Sequence, residues 1–155
     1  MIRLIAPWWA MIGFAVMMVE AIVRLSQYAL EGMAQATPAA WVVAFFSVVF
    51  MLYTEGYRGF QKKFSPRFAK RAMMIRSEPT FFRVALAPLF CMSLFGATRG
   101  RMIASWLLVV MIVFFIIMIR QLDQPWRGAV DVGVVAGLSH GLLATLYFFV
   151  RAIRT

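Results

Sequence analysis

Residues 102–119 are eighteen consecutive positions without a charge, and no other feature constrains the fold as tightly. As a helix rising 1.5 Å per residue, the run covers about 27 Å, close to the ~30 Å hydrocarbon core of a bilayer. Residues 132–150 form a second such run, with no formal charge at neutral pH and His140 inside it. Two shorter runs, 4–19 and 39–54, precede them. Backbone in hydrocarbon has no water to bond its N–H and C=O groups, so each run must be helical and satisfy them internally. The composition agrees. Of the residues, 63% are hydrophobic and 14% charged, against about half and a quarter in soluble domains. The expected fold is an all-α integral membrane protein, a single helical-bundle domain over residues 1–155.

Thr37-Pro38, Ser65-Pro66, Glu78-Pro79 and Gln124-Pro125 each place proline behind a polar residue at the head of a segment. Proline is tolerated at the first helical position because its missing N–H had no partner there. Thr37 and Ser65 are natural caps for the helices they precede. These breaks predict spans over 7–30, 38–57, 102–120 and 128–150, a basic amphipathic segment over 58–78, and a short apolar segment over 81–98. Trp8 and Trp9 stand where interfacial aromatics belong. Arg3 ahead of an apolar stretch imitates a secretory leader, with Ala34-Gln35-Ala36 as its cleavage site. Glu20, Arg24 and Glu31 make the intervening stretch too long and too charged, so a retained span is expected.

The stretch 84–98 lies between Arg83 and Arg99 and contains Pro88. As a straight helix it covers only about 22 Å, short for a crossing. Charge arbitrates. Arg58, Lys62, Lys63, Arg67, Lys70, Arg71 and Arg76 all lie between the second and third apolar runs and mark that loop as cytoplasmic. If 84–98 returns to the side it came from, only Arg24, Arg120 and Arg127 fall outside and the other thirteen basic residues fall inside. If it crosses, Arg99, Arg101, Arg151 and Arg154 join Arg24 outside. The first division fits the positive-inside rule better. The expectation is four full transmembrane helices plus one short re-entrant or interfacial segment, with both termini cytoplasmic in a bacterial-type inner membrane. Five transmembrane helices are the alternative.

A net charge of +10 would suggest nucleic acid in a soluble protein. Here the basic residues clump between apolar runs, and no soluble folded surface exists to hold a duplex, so nucleic acid is not an expected partner. Phe60, Phe64 and Phe68 repeat every four residues and share one helix face. That predicts a helix lying on the membrane, its phenyl rings in the acyl boundary. Lys62, Lys63, Arg67, Lys70 and Arg71 are then candidates for anionic headgroups or another anionic partner, at ~1 kcal/mol each near the surface. The plain alternative is an ordinary positive-inside loop.

Gly133, Gly137 and Gly141 are spaced four apart, with Ala129 before them and Thr145 after. A glycine every turn clears one helix face and lets another backbone approach closely. The partner is either this chain or another subunit. His140 lies within about 40° of Gly137 on the helical wheel and faces the packed side. An ionisable group at that depth is a candidate proton relay or polar path. A hydrogen-bonded neutral imidazole is the plainer role. Glu20–Arg24, Arg127–Asp131, Glu55–Arg58 and Glu78–Arg83 are spaced to pair, which lowers the cost of charge near hydrocarbon. Glu20–Arg24 and Arg127–Asp131 are expected near the same outer face, where they would bracket a polar path towards His140.

Cys91 is the only cysteine, so it forms no internal disulfide, and it is expected to be a small buried hydrophobe. No zinc cluster, phosphate loop, nucleophile elbow or dinucleotide fingerprint appears. No cofactor or metal is expected, and a non-catalytic role is favoured. The expected function is a structural or accessory membrane protein, packing in an oligomer or membrane complex and contacting anionic phospholipid. A small transporter or channel with a path near His140, and a lipid-modifying enzyme, are the alternatives.

Overall fold

The computed structural model describes all residues from 1 to 155 and is all-helical. Four helices are long and apolar enough to cross a bilayer. They are α1 (Ile2–Ala34), a continuous rod (Pro38–Ser77), α6 (Arg99–Arg120) and α7 (Trp126–Arg154). The rod comprises α2 (Pro38–Met51), a π-helical segment (Leu52–Phe64) and α3 (Ser65–Ser77). Two short helices, α4 (Phe81–Ala85) and α5 (Ala87–Cys91), follow it.

Three of the long elements form the bundle. Trp8 packs against Phe149, with ring centroids 5.2 Å apart, and Gly32 meets Gly128. α1 and α7 are therefore antiparallel. The rod runs alongside α7 in the same direction: Ser47 meets Gly133, Gly56 meets His140, and Ser65 meets Thr145. Eighteen residues of rod thus cover the same length as twelve of α7. The π segment absorbs the difference, because its wider i→i+5 turns advance less per residue.

The core lies in the half of the bundle that holds the termini. Ala6, Ala10, Phe14, Phe68, Ala72, Ile75, Ala87, Phe90 and Phe149 form one buried cluster. Phe14 stacks on Phe64 and Phe68 at 5.3 and 4.9 Å. This corrects the expected surface helix over 58–78. Its phenylalanines face α1 and α7 rather than acyl chains, because α7 runs beside the rod for its whole length and α1 packs on α3. Phe60 seats on Gly141, and Phe68 is fully buried.

Local signals act in two different ways. The Thr37 hydroxyl accepts from the Ala40 N–H at 3.3 Å, as an N-cap should. Ser65 does not cap: it sits inside the continuous rod and pairs with Thr145, hydroxyl to hydroxyl, at 2.9 Å. Thr145 donates to the Gly141 carbonyl at 2.8 Å, so Ser65 is the donor to Thr145. Pro7 lies within α1 rather than at its head.

α6 stands apart. Its apolar side chains are exposed nearly all round, and only Ile119, at its end, is buried. Where it starts, the Trp106 indole N–H donates to the Leu94 carbonyl at 3.0 Å.

Candidate functional site

The end of the bundle nearer the termini gathers most of the basic residues. Lys62, Lys63 and Lys70 are exposed there, and Lys62 lies over the Tyr57 ring at 4.8 Å. Arg67 is half-buried, its Nε–H donating to the Lys63 carbonyl at 2.9 Å.

Arg71 departs from the expected headgroup role. It is 7% exposed. Its Nε–H donates to the Phe90 carbonyl at 2.6 Å and its Nη2 to the Phe95 carbonyl at 2.9 Å. Its guanidinium lies 4.0 Å from the centre of the Phe90 ring. Arg71 thus clamps the 81–98 stretch to the rod. The reason is length: a planar fork with five donors can satisfy two carbonyls and stack on a ring at once. Gly96 completes the turn at φ +65, where an added Cβ would lie 2.8 Å from the Phe90 ring. Pro88 seats on Gly13 of α1, where a Cβ would meet its Cγ at 2.5 Å. The 81–98 stretch is thereby folded onto α1 and α3 as two short helices and a turn.

Beneath that clamp lies Cys91. Burial pushes its thiol up to about 12, with a smaller opposing pull from Arg71. Arg83 also reaches Phe90, 5.4 Å from the ring centre, and pairs with Glu78 at 3.4 Å.

The glycine stripe of α7 faces the rod. An added Cβ at Gly133 would collide with Ser47, and one at Gly141 would lie 2.5 Å from the Phe60 ring. Gly137 is looser, with the Met51 carbonyl oxygen 3.3 Å away. Gly32 and Gly128 make the closest backbone approach and were not singled out from sequence. Gly128 is one residue off the i, i+4 stripe, and Gly32 stands alone near the end of α1. Their only signal was that both flank the breaks at Pro38 and Pro125.

His140 lies over Gly56, where an added Cβ would be 2.9 Å from the imidazole. Its Nε2 is 3.1 Å from Gln61 Oε1. Its partners thus come from the π segment, and the neighbouring Ser139 hydroxyl donates to the Val135 carbonyl. The charged pairs do not converge on it. Glu20 and Arg24 form a 2.6 Å ion pair on the outside of α1, with side chains 57% and 74% exposed. Arg127 and Asp131 stand 3.7 Å apart, beyond hydrogen-bond reach. Arg127 Nε and Asp131 Oδ2 are both buried without a hydrogen-bond partner, and the guanidinium lies over Tyr28 at 3.8 Å. Glu55 and Arg58 form no ion pair; the structure holds three, at Glu20–Arg24, Glu78–Arg83 and Arg127–Asp131. No three His, Cys, Asp or Glu side chains come together as a metal site would need. No protein-family model matches this chain, and neither a curated protein nor a solved structure matches it.

Proposed function

We propose that the chain is a structural or accessory integral membrane protein, set in a bacterial-type inner membrane with its basic end and both termini on the cytoplasmic side. One observation carries the reading: α6 exposes apolar side chains on nearly every face while its first turns sit beside the basic end. Such a helix is stable where lipid or a partner's helix surrounds it. The basic residues then fall at headgroup level, where each contributes ~1 kcal/mol towards anionic lipid.

In this reading α1, the rod, α6 and α7 are the four crossings, and the 81–98 stretch returns on the cytoplasmic side. α1 has 33 residues, roughly 50 Å against a ~30 Å core, so the bundle extends beyond the hydrocarbon. The glycine stripe is occupied within the chain, which leaves α6 as the surface for an oligomer or complex. A transport path is the weaker reading, because the His140 ring is packed on Gly56 and engaged by Gln61.

The test is purification of the native protein in mild detergent, with co-purifying proteins and lipids identified by mass spectrometry. Enrichment of anionic phospholipid over the bulk membrane, together with a stable protein partner or a second copy, is expected. A lone chain carrying lipid of bulk composition would refute the proposal.

A further inference from the structure

Arg151 and Arg154 stand near the end of α7, exposed, and their side chains make neither a hydrogen bond nor an ion pair within the chain. Both line one surface crevice of about 560 Å³, together with Leu143, Leu146, Tyr147 and Val150. That volume is in the range of small-molecule sites. The six positions follow i, i+3, i+4 and i+7 spacing and share one face of the helix. The glycine stripe of α7 meets the rod on the other side, and Leu143 and Tyr147 are 67% and 61% exposed.

Polarity is graded along this face. Leu143, Leu146 and Val150 are apolar, Tyr147 is amphipathic, and the two guanidiniums come last. From Leu143 to the arginines is about 12–16 Å along the helix, which matches one leaflet of a ~30 Å core. Trp8 packs on Phe149 at 5.2 Å. Two aromatics that favour the membrane–water boundary, Trp8 and Tyr147, thus lie just before the arginines. Asp131 is the only acidic residue of α7, some 30 Å away along the helix. The charge at the mouth is therefore uncompensated, and guanidinium forks match phosphate oxygens bidentately. A free anion would leave the apolar groove unused. A zwitterionic headgroup would bring its ammonium against two arginines.

We propose that this crevice holds one anionic phospholipid, its phosphate bridged by Arg151 and Arg154 and one acyl chain lying along Leu143, Leu146 and Val150. The site rests on the membrane reading above, which sets this end of α7 at headgroup level.

The probe is phosphatidylglycerol with a diazirine in one acyl chain, at sub-saturating amounts in phosphatidylcholine nanodiscs that hold the full chain. Crosslinked residues are located by mass spectrometry. Wild type should be labelled at Leu143, Leu146 or Val150. Phosphatidylcholine with the same diazirine should label these positions no more than the exposed face of α6. Arg151→Gln with Arg154→Gln should lower the phosphatidylglycerol labelling about thirtyfold, equivalent to about 2 kcal/mol. Neither side chain bonds within the chain, so this variant should melt like wild type. Leu146→Trp should fill the crevice and lower labelling at Leu143 and Val150 with both arginines in place. Lys62→Gln with Lys63→Gln and Lys70→Gln should leave the labelling unchanged.

Unchanged labelling in the arginine variant or in Leu146→Trp would overturn the site. So would an equal loss in the triple lysine variant, which would mean diffuse attraction, or equal labelling by phosphatidylcholine, which would mean ordinary lipid contact. A chain that inserts but is labelled only elsewhere overturns the site and leaves the membrane reading standing. A chain that fails to enter nanodiscs overturns both.

Discussion

Gly32 and Gly128 meet backbone against backbone. A Cβ on either would lie about 2.5 Å from the other's Cα, at 2.5 and 2.6 Å. Neither backbone can retreat without moving a long helix. Gly32→Ala or Gly128→Ala should therefore cost about 1–3 kcal/mol by overpacking. Along the α7 stripe, Gly133→Ala should be worse than Gly137→Ala, because Ser47 lies closer than Met51. Unfolding in detergent checks both, and equal stability of the two stripe variants would contradict this packing.

Arg71 holds the 81–98 stretch through carbonyls rather than through carboxylates. Each charge-assisted bond is worth about 1.5–3 kcal/mol, so Arg71→Gln should loosen that stretch selectively. Hydrogen exchange over 81–98 should speed up while α7 stays protected. Arg71→Lys should not rescue it, since a point charge cannot span two carbonyls and stack on Phe90.

Much of this was legible in sequence, and the failures have physical causes. The long apolar runs and the polar-proline breaks located the four long helices, because hydrocarbon imposes helix on any apolar run of that length. The glycine repeat marked the face of α7 that meets the rod. Phe60, Phe64 and Phe68 misled, because periodicity gives a face but not what covers it. Here the cover is α1 and α7, not lipid. Arg71 looked like its lysine neighbours, and only the folding of residues 81–98 onto α3 distinguishes it.

Cys91 should be nearly inert in the folded protein. With its thiol pushed up to about 12, the thiolate is roughly one part in ten thousand at pH 8, and the sulfur is buried. Maleimide should label it only after unfolding, and fast native labelling would contradict its position. The linkage has a definite sign. An unfolded thiol ionises near pH 8.5 while the folded one stays protonated. Its stabilising contribution is therefore full below about pH 8.5 and declines as pH rises towards 12. Cys91→Ala should lack that part of the alkaline decline.

His140→Gln tests whether the imidazole is more than a packing group. Losing its contact with Gln61 should cost about 1 kcal/mol, one hydrogen bond's worth. Gly56→Ala should cost more, since a Cβ there presses on the ring at 2.9 Å. Thermal melts of the two variants in one detergent give the comparison. A much larger loss in His140→Gln would mean that the imidazole holds more of the structure together than this contact.

The central claim is a membrane bundle of four crossings with its basic end in the cytoplasm. Paired reporter fusions at Thr155 and at Gln121 test it most directly, because the two positions lie at opposite ends of α7 and its preceding turn. The account predicts a cytoplasmic Thr155 and an external Gln121. An external Thr155 with a cytoplasmic Gln121 would contradict it, by an inverted bundle or by a fifth crossing at 81–98, and would move Arg99 and Arg101 to the outer face.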